Sequence, residues 1–275
     1  NAAGNIHSTA IGTLSQQGKL TAAQDLSVEA GTLENSGALV ANRNLKVQAA
    51  TQHNRGKLQS SGRLTVDGGQ LYNQGEILSG GGLTLTARQL DQNGTLSAKT
   101  DASLTVSDRL TQGAQGNILS EGLLSVHSGQ GELQGLLSGS RGITLSGDTL
   151  ISQQGSRITS QQAIDLQAGQ MQLGGEVNAG GNLTLKGEAL TTLSTAQVQS
   201  GGKLTLEAQQ ATLKGTQTAL GDFTVNAATL DHRGKSNAAR IDITANSLAN
   251  GGTLVAPELS LNCLLYTSPS PRDCS

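Results

Sequence analysis

The hydrophobic and polar positions of this chain follow one short pattern that recurs along most of its length. An apolar residue, a polar residue and a second apolar residue form a unit, and consecutive units begin 18 to 21 residues apart. The thirteen units begin at Leu26, Leu45, Leu64, Leu83, Leu104, Leu124, Ile143, Ile164, Leu183, Leu204, Phe223, Ile241 and Leu259. Self-similarity at a fixed period is the sequence signature of a repeat architecture.

The residues after each unit are also similar from copy to copy. In the clearest copy, the unit at Leu26 is followed by Leu33, Asn35, Gly37 and Leu39. Local alternation with period two predicts strands, and the apolar spacing does not sustain a helical stripe. Glycine supplies positive φ and asparagine supplies side-chain-to-backbone bonds, so both predict turns between the strands. The pattern therefore predicts three short strand segments in each repeat.

Such short strands cannot bury an apolar face alone, but copies at a near-constant interval can stack in register. The predicted fold class is all-β, a parallel β-helix or solenoid of about 19–20 residues per coil. Thirteen coils with a rise of about 4.8 Å predict a rod on the order of 60 Å long. The middle residue of each unit should face solvent, and it is polar in all thirteen copies and threonine in seven of them.

Composition and charge reduce the number of functions that the chain can have. The chain has 37 glycines among 275 residues but only three aromatic residues, which predicts a thin aliphatic core. A net charge of −2 without a basic stripe argues against nucleic acid as a partner. No apolar run approaches the length of roughly 18 residues that a membrane helix needs, so we predict no membrane span.

Candidate chemistry is sparse, and we predict no catalytic, cofactor-binding or metal site. His7, His53, His127 and His232 lack a second ligand at metal spacing, and His53 and His232 are predicted to be solvated corner residues. Tyr72 is expected to stand alone on the outside.

Two further patterns resemble functional sites but lack a required residue or distance. Gly234-Lys235-Ser236 copies the end of a phosphate-binding loop, but Thr229 occupies the place of its first glycine. Asp165 and Asp242 both lie at outward positions, yet four coils separate them by roughly 19 Å. Paired carboxylates of glycosidases lie within about 10 Å. We therefore expect no enzyme here.

The recurring asparagines suggest a structural column. Asn35, Asn54 and Asn73 occupy equivalent places in successive copies, so we expect a hydrogen-bonded ladder that stabilises the corners. Ligand binding by the same column is the alternative.

The end of the chain departs from the pattern. We predict that residues 1–262 form the β-helix shaft, as an internal fragment uncapped at both ends. Residues 263–275 resemble the in-frame translation of a sequencing-library adapter, so they are predicted not to be native. They include Cys263 and Cys274, the only cysteines of the chain.

The repeats have a recognisable form. Gly-Gly-x-Leu-Thr-Leu, at residues 180–185 and 201–206, alternates with Leu-x-Asn-x-Gly-x-Leu. From Leu14 to Asn262 the chain resembles the filamentous haemagglutinin repeats of two-partner secretion exoproteins. That family includes adhesins and the effectors of contact-dependent growth inhibition, and the sequence leaves both open.

The resemblance implies a right-handed β-helix on a secreted bacterial surface protein, which a dedicated outer-membrane transporter exports through an amino-terminal domain that has no counterpart here. We expect a structural shaft that presents an adhesive or toxic module away from the cell. The alternative is that the repeat surface itself binds host glycans or proteins, through a receptor on the host or target cell. No cofactor is expected.

Overall fold

The computed structural model describes residues 1–267, and it divides into two compact units, Asn1–Arg141 and the chain from Gly142 onward. Both are built from parallel strands that stack as a β-solenoid, with about 14 turns in all and roughly 19 residues per turn. The predicted all-β solenoid is therefore confirmed.

Each turn contains one long strand and one short strand. The first unit contains β1 (Ile6–Gln16), β2 (Lys19–Ala22), β3 (Leu26–Asn35), β4 (Ala38–Ala41), β5 (Leu45–Asn54), β6 (Lys57–Ser60), β7 (Leu64–Asn73), β8 (Glu76–Ser79), β9 (Leu83–Gln92), β10 (Thr95–Ala98), β11 (Ala102–Gln112), β12 (Asn117–Ser120), β13 (Leu123–Leu133) and β14 (Leu136–Gly139). The second contains β15 (Gly142–Ser152), β16 (Arg157–Ser160), β17 (Ile164–Leu173), β18 (Glu176–Ala179), β19 (Leu183–Thr192), β20 (Gln197–Ser200), β21 (Leu204–Leu213), β22 (Thr216–Ala219), β23 (Asp222–His232), β24 (Lys235–Asn237), β25 (Arg240–Asn250), β26 (Thr253–Val255) and β27 (Glu258–Thr267).

Equivalent residues of neighbouring turns lie directly above one another. In the first unit Leu26 pairs with Leu45 and Leu45 with Leu64, all of them buried. In the second unit Leu204 pairs with Phe223, the bulkiest buried side chain. Parallel pairing between turns satisfies the backbone N–H and C=O groups, while the aliphatic columns are removed from water. The middle residues of the units all remain at least partly exposed, as predicted.

The prediction of three segments per repeat is wrong in one respect, because the first two join into a single long strand. In β3, Leu26 and Val28 face inward, and the inward positions then change from even to odd numbers at Leu33 and Asn35. The strand thus bends around the core while it stays paired with its neighbouring strands, so one strand covers two sides of the core.

One of the thirteen copies is also shifted from the alignment predicted for it. Ala102, not Leu104, pairs with Leu83 below and Leu124 above, and Leu104 pairs with Leu85 and Val126. The small Ala102 side chain fills the first inward place of its turn, and the sequence does not reveal this because alanine is a weak apolar signal.

In the turns of the first unit glycine acts through close approach, whereas the predicted positive φ occurs at Gly155 and Gly215, in turns of the second unit. Gly37, Gly56, Gly75 and Gly94 follow the long strands, and none of them has positive φ. A Cβ on Gly56 would lie 2.0 Å from the carbonyl oxygen of Gly37 in the turn below. That carbonyl accepts the Lys57 N–H at 2.8 Å, which holds successive turns together and leaves no room for a side chain.

Turn length alternates over part of the chain. Most long and short strands are joined by two residues, but residues 113–116, 153–156 and 193–196 form four-residue turns. These three turns begin 40 residues apart, and Leu110, Leu150, Leu190 and Leu230 share that spacing. Residues 111–230 are therefore three copies of a 40-residue, two-turn repeat. The sequence pattern described above does not predict this doubled period.

The boundary predicted at residue 262 falls inside β27. The strand continues to Thr267 and pairs with β25, and Leu264, Leu265 and Tyr266 are exposed. Cys263 is a free cysteine and is partly exposed. The prediction that residues 263–275 are not native remains a prediction, and residues 268–275, including Cys274, lie outside the described residues.

Candidate functional site

The most organised polar feature of the first unit is a column of buried amides at the ends of the long strands. Asn35 donates from Nδ2 to Oδ1 of Asn54 at 2.7 Å, and Asn54 donates likewise to Asn73 at 2.8 Å. Asn73 donates to Oε1 of Gln92 at 2.9 Å. All four side chains are at most 1% exposed. The ladder predicted from the asparagine spacing is confirmed, and it extends to Gln92.

Each amide of the ladder also bonds to the short strand of the next turn. Nδ2 of Asn35 donates to the Lys57 carbonyl at 3.3 Å, and Nδ2 of Asn54 donates to the Glu76 carbonyl at 3.2 Å. The ladder therefore ties long strands to short strands across the corner. At its first member, Oδ1 of Asn35 is buried without a hydrogen-bond partner. These neutral amides are held by one another, which suits a structural role.

In the second unit the same column alternates between polar and apolar residues. Ser152 and Thr192 precede the four-residue turns, whereas Leu173 and Leu213 precede two-residue turns. The Ser152 hydroxyl lies 2.9 Å from the Ser156 hydroxyl, and Thr192 donates to the Lys214 carbonyl at 2.8 Å. The backbone partners of both hydroxyls lie in the two-residue turns of the following coils, with Ser152 accepting from the Gly175 N–H and Thr192 from the Lys214 N–H.

His232 lies in this buried column, so its predicted place as a solvated corner residue is wrong. Its imidazole is 0% exposed, with Nδ1 2.8 Å from Asn250 Oδ1 and Nε2 3.0 Å from Ser236 Oγ. Burial lowers the pKa of His232 from its usual 6.5, against the smaller raising effects of the Asn250 hydrogen bond and Asp231. Its spacing in the sequence could have located it, because His232 lies two residues before Gly234, as Asn35 lies two residues before Gly37.

His53 and Tyr72 lie together on the solvent face of the first unit. Their rings stack with centroids 4.7 Å apart, so Tyr72 does not stand alone as predicted. His53 Nε2 is 3.7 Å from a carboxylate oxygen of Glu34, and the other oxygen of Glu34 is 3.7 Å from Arg55. This pair is not predictable from the sequence alone, because it depends on neighbouring turns being in register.

The remaining sequence candidates do not converge. His7 contacts Thr9 on an exposed strand, and His127 is exposed on β13. Asp165 and Asp242 are separated by the turns of Thr184, Thr205 and Thr224, as expected. Among the described residues, no three His, Cys, Asp or Glu side chains are placed to hold a metal ion.

Gly234-Lys235-Ser236 also has a structural place. Gly234 packs closely on the Gly215 carbonyl of the turn below, and Ser236 is buried against Gln217 and His232. A buried serine between two protein partners is not positioned to hold a phosphate.

Surface hollows lie at bends of the long strands, at turns and at the beginnings of strands. One hollow, of about 380 Å³, has Gly187, Ala208 and Ala227 among its lining residues, together with Lys186 and Glu207. Lys186 and Glu207 form an ion pair at 3.1 Å. The hollow is open and polar, and its walls hold no nucleophile beside a base.

Fold and geometry together define a class, the β-solenoid repeat proteins, in which repeated turns build both core and surface. Residues 1–44 match the haemagglutinin repeat family, and the solenoid is consistent with a filamentous haemagglutinin-type repeat region. This family is of a structural or adhesive kind and is typical of secreted bacterial surface proteins. No match was found among curated proteins or solved structures. None of residues 1–267 forms a helix that could span a bilayer.

Proposed function

We propose that the array is the structural shaft of a large secreted bacterial protein, and that it holds an adhesive or toxic module away from the producing cell. The observation that carries the proposal is the stacking of equivalent residues from turn to turn, exemplified by Leu26, Leu45 and Leu64. Each turn is stabilised by its neighbours, so length can grow by adding turns without a new core.

The same proposal implies two partners. A two-partner outer-membrane transporter would export the protein through a domain that lies elsewhere in the protein. A receptor on a host or target cell would be bound by the module that the shaft presents. Both partners are proposed by analogy with the haemagglutinin repeat family, whose model matches residues 1–44.

A second candidate function is that the repeat surface is itself adhesive. The stacked pair of His53 and Tyr72 favours it, because paired rings on a solvent-facing sheet offer a contact surface next to the Glu34 carboxylate. Weak contacts of this kind could act many times over on a cell surface.

Cell binding by the isolated chain separates the two functions. We expect the fluorescently labelled chain to show no saturable binding to a panel of host and bacterial cells, because a shaft only positions other modules. Saturable binding that Tyr72→Thr abolishes would favour the adhesive surface. Thr111→Ser is the matched control, because it alters the same outward column without removing a ring.

A further inference from the structure

The buried column of the second unit contains a chain of hydrogen bonds that runs through His232. Its order is Gln217, Ser236, His232 and Asn250, on β22, β24, β23 and β25. Gln217, Ser236 and His232 are at most 1% exposed, and Asn250 is partly exposed. The chain therefore crosses three successive turns, largely out of contact with water.

The two amides at its ends have fixed orientations. Nε2 of Gln217 donates to the Lys214 carbonyl at 2.7 Å, so Oε1 of Gln217 faces Ser236 as an acceptor. Oδ1 of Asn250 accepts the Gly252 N–H at 3.2 Å, so the same oxygen faces His232 as an acceptor. Turning Gln217 over would place two acceptors, its Oε1 and the Lys214 carbonyl, against each other, and turning Asn250 over would place two donors, its Nδ2 and the Gly252 N–H, against each other.

The donors and acceptors along the chain determine how many protons the imidazole must carry. Ser236 has one hydroxyl proton, and it donates that proton to Oε1 of Gln217 at 2.9 Å. The Ser236 oxygen is then an acceptor toward His232, so Nε2 needs a proton. Nδ1 also needs one, because Oδ1 of Asn250 is an acceptor. Every contact is made only when both ring nitrogens carry protons.

A neutral imidazole leaves the chain one proton short. Its best arrangement keeps the proton on Nδ1, which holds the 2.8 Å contact to Asn250, and the Ser236 hydroxyl turns to donate to Nε2. Oε1 of Gln217 then loses its donor. The rotation of one buried hydroxyl thus decides whether Gln217 is joined to His232.

We propose that Gln217, Ser236, His232 and Asn250 form a proton-operated hydrogen-bond switch within the second unit. Uptake of one proton by His232 from solvent turns the Ser236 hydroxyl from His232 to Gln217 and completes the chain. No other group changes its proton count, and no bond other than hydrogen bonds is made or broken.

Burial has a larger effect than the charged groups on the surrounding elements on the pH at which this happens. Asp231 and Arg233 flank His232 and pair with each other at 2.8 Å, while Lys214 and Lys235 lie beside the turns that carry Gln217 and Ser236. On β25, Asp242 lies toward the other end of the strand, with Arg240. All six are at least partly exposed, and burial has the largest effect on the imidazole, so the pKa of His232 lies below 6.5.

Nitrogen-detected NMR of the full chain labelled with ¹⁵N-histidine tests the switch directly. At pH 7.5 we expect His232 as the Nδ1–H tautomer, and below pH 6.5 we expect conversion to the imidazolium in the folded protein. His7, His53 and His127 serve as internal references, and His232→Asn identifies the signal. An Nε2–H tautomer at pH 7.5, or a His232 signal that does not titrate before unfolding, would overturn the proposal.

Gln217→Met tests the relay, because Gln217 does not touch the imidazole. Loss of the acceptor for Ser236 should move the His232 titration midpoint to lower pH by about 0.5 to 1 pH unit, the equivalent of one hydrogen bond. An unchanged midpoint in a folded variant would overturn the relay. Should the variant fail to fold, the tautomer at pH 7.5 in the unaltered chain still decides the proposal, independently of whether the array is a shaft.

Discussion

At the scale of single residues, the stacking of the first unit depends on two small columns beside the turns. One is the glycine column, in which Gly37, Gly56, Gly75 and Gly94 lie too close to the turn below for a side chain. The other is the amide ladder that begins at Asn35. Both act between turns, so each residue stabilises its neighbours rather than its own strand.

Substitution of Gly56 tests the glycine column. A Cβ at Gly56 would lie 2.0 Å from the Gly37 carbonyl oxygen, so Gly56→Ala should destabilise the first unit by about 1–3 kcal/mol. Gly18→Ala is the matched control, because Gly18 begins the same column and a Cβ there meets nothing within 4 Å. Thermal unfolding followed by circular dichroism measures both. Equal melting temperatures for the two variants would refute the close-packing explanation.

Substitution of Asn54 tests the ladder. Asn54→Ala removes contacts of 2.7 Å and 2.8 Å to Asn35 and Asn73 and leaves buried amide groups unpaired. We expect a loss of about 1–3 kcal/mol in the free energy of unfolding. Asn42→Ala, at an exposed turn residue, should change it by less than about 0.5 kcal/mol. If Asn54→Ala unfolds at the same denaturant concentration as the unaltered chain, the ladder does not stabilise the corners.

The pH dependence of stability is a residue-scale consequence of burying His232. Its folded pKa is lower than the unfolded value of 6.5, so the stabilising contribution of the neutral ring is complete above pH 6.5. That contribution is lost as the pH falls from 6.5 through the folded pKa. His232→Asn, which restores the residue type of Asn35, should flatten the dependence in this window. A slope between pH 6.5 and 5 that the variant leaves unchanged would assign the effect to other groups.

At the scale of elements, the unit of repetition changes along the chain. Near Leu26 one turn of 19 residues repeats, whereas residues 111–230 repeat in pairs of turns with four-residue and two-residue turns in alternation. The polar residues Ser152 and Thr192 accompany the longer turns. Turn length and the residue type in the buried column therefore change together.

Removal of one two-turn repeat tests this periodicity. Deleting residues 151–190 joins Leu150 to Thr191 in register, because Leu150 and Leu190 hold the same place in their turns. We expect a folded chain with an unchanged far-ultraviolet spectrum per residue. The control, deletion of residues 151–180, breaks the register and should abolish cooperative unfolding. Equal behaviour of both deletions would contradict a two-turn unit.

Much of this element structure was predictable because it rests on apolar spacing. The period, the inward aliphatic columns and the Asn35 ladder all depend on residue types that recur visibly. The bend inside β3, the shift at Ala102 and the partners of His232 were not predictable, because they depend on which residues lie above one another. Pairing register is a property of neighbouring turns and is not carried by any single copy.

At the scale of the whole molecule, the proposed function is to provide length, so that another module is held away from the cell. The haemagglutinin repeat match at residues 1–44 and the solenoid fold are consistent with a repeat region of an adhesin-like protein. A shaft requires turns that continue in one direction, with each turn adding a rise of about 4.8 Å. It requires no shared active site. It does require equivalent residues to stack from turn to turn, as Leu26, Leu45 and Leu64 do in the first unit.

Small-angle X-ray scattering of the full chain in dilute solution tests the central claim most directly. A shaft predicts a skewed pair-distance distribution with a maximum dimension of roughly 60 Å or more, because about 14 turns each add a rise of about 4.8 Å. It also predicts a separate range of scattering angles from which the radius of gyration of the cross-section can be determined. The chain with residues 151–190 deleted should be shorter by about 10 Å, or two rises, with the same cross-section. A symmetric distribution of a compact particle, or a deletion that narrows the cross-section instead of the length, would contradict the account.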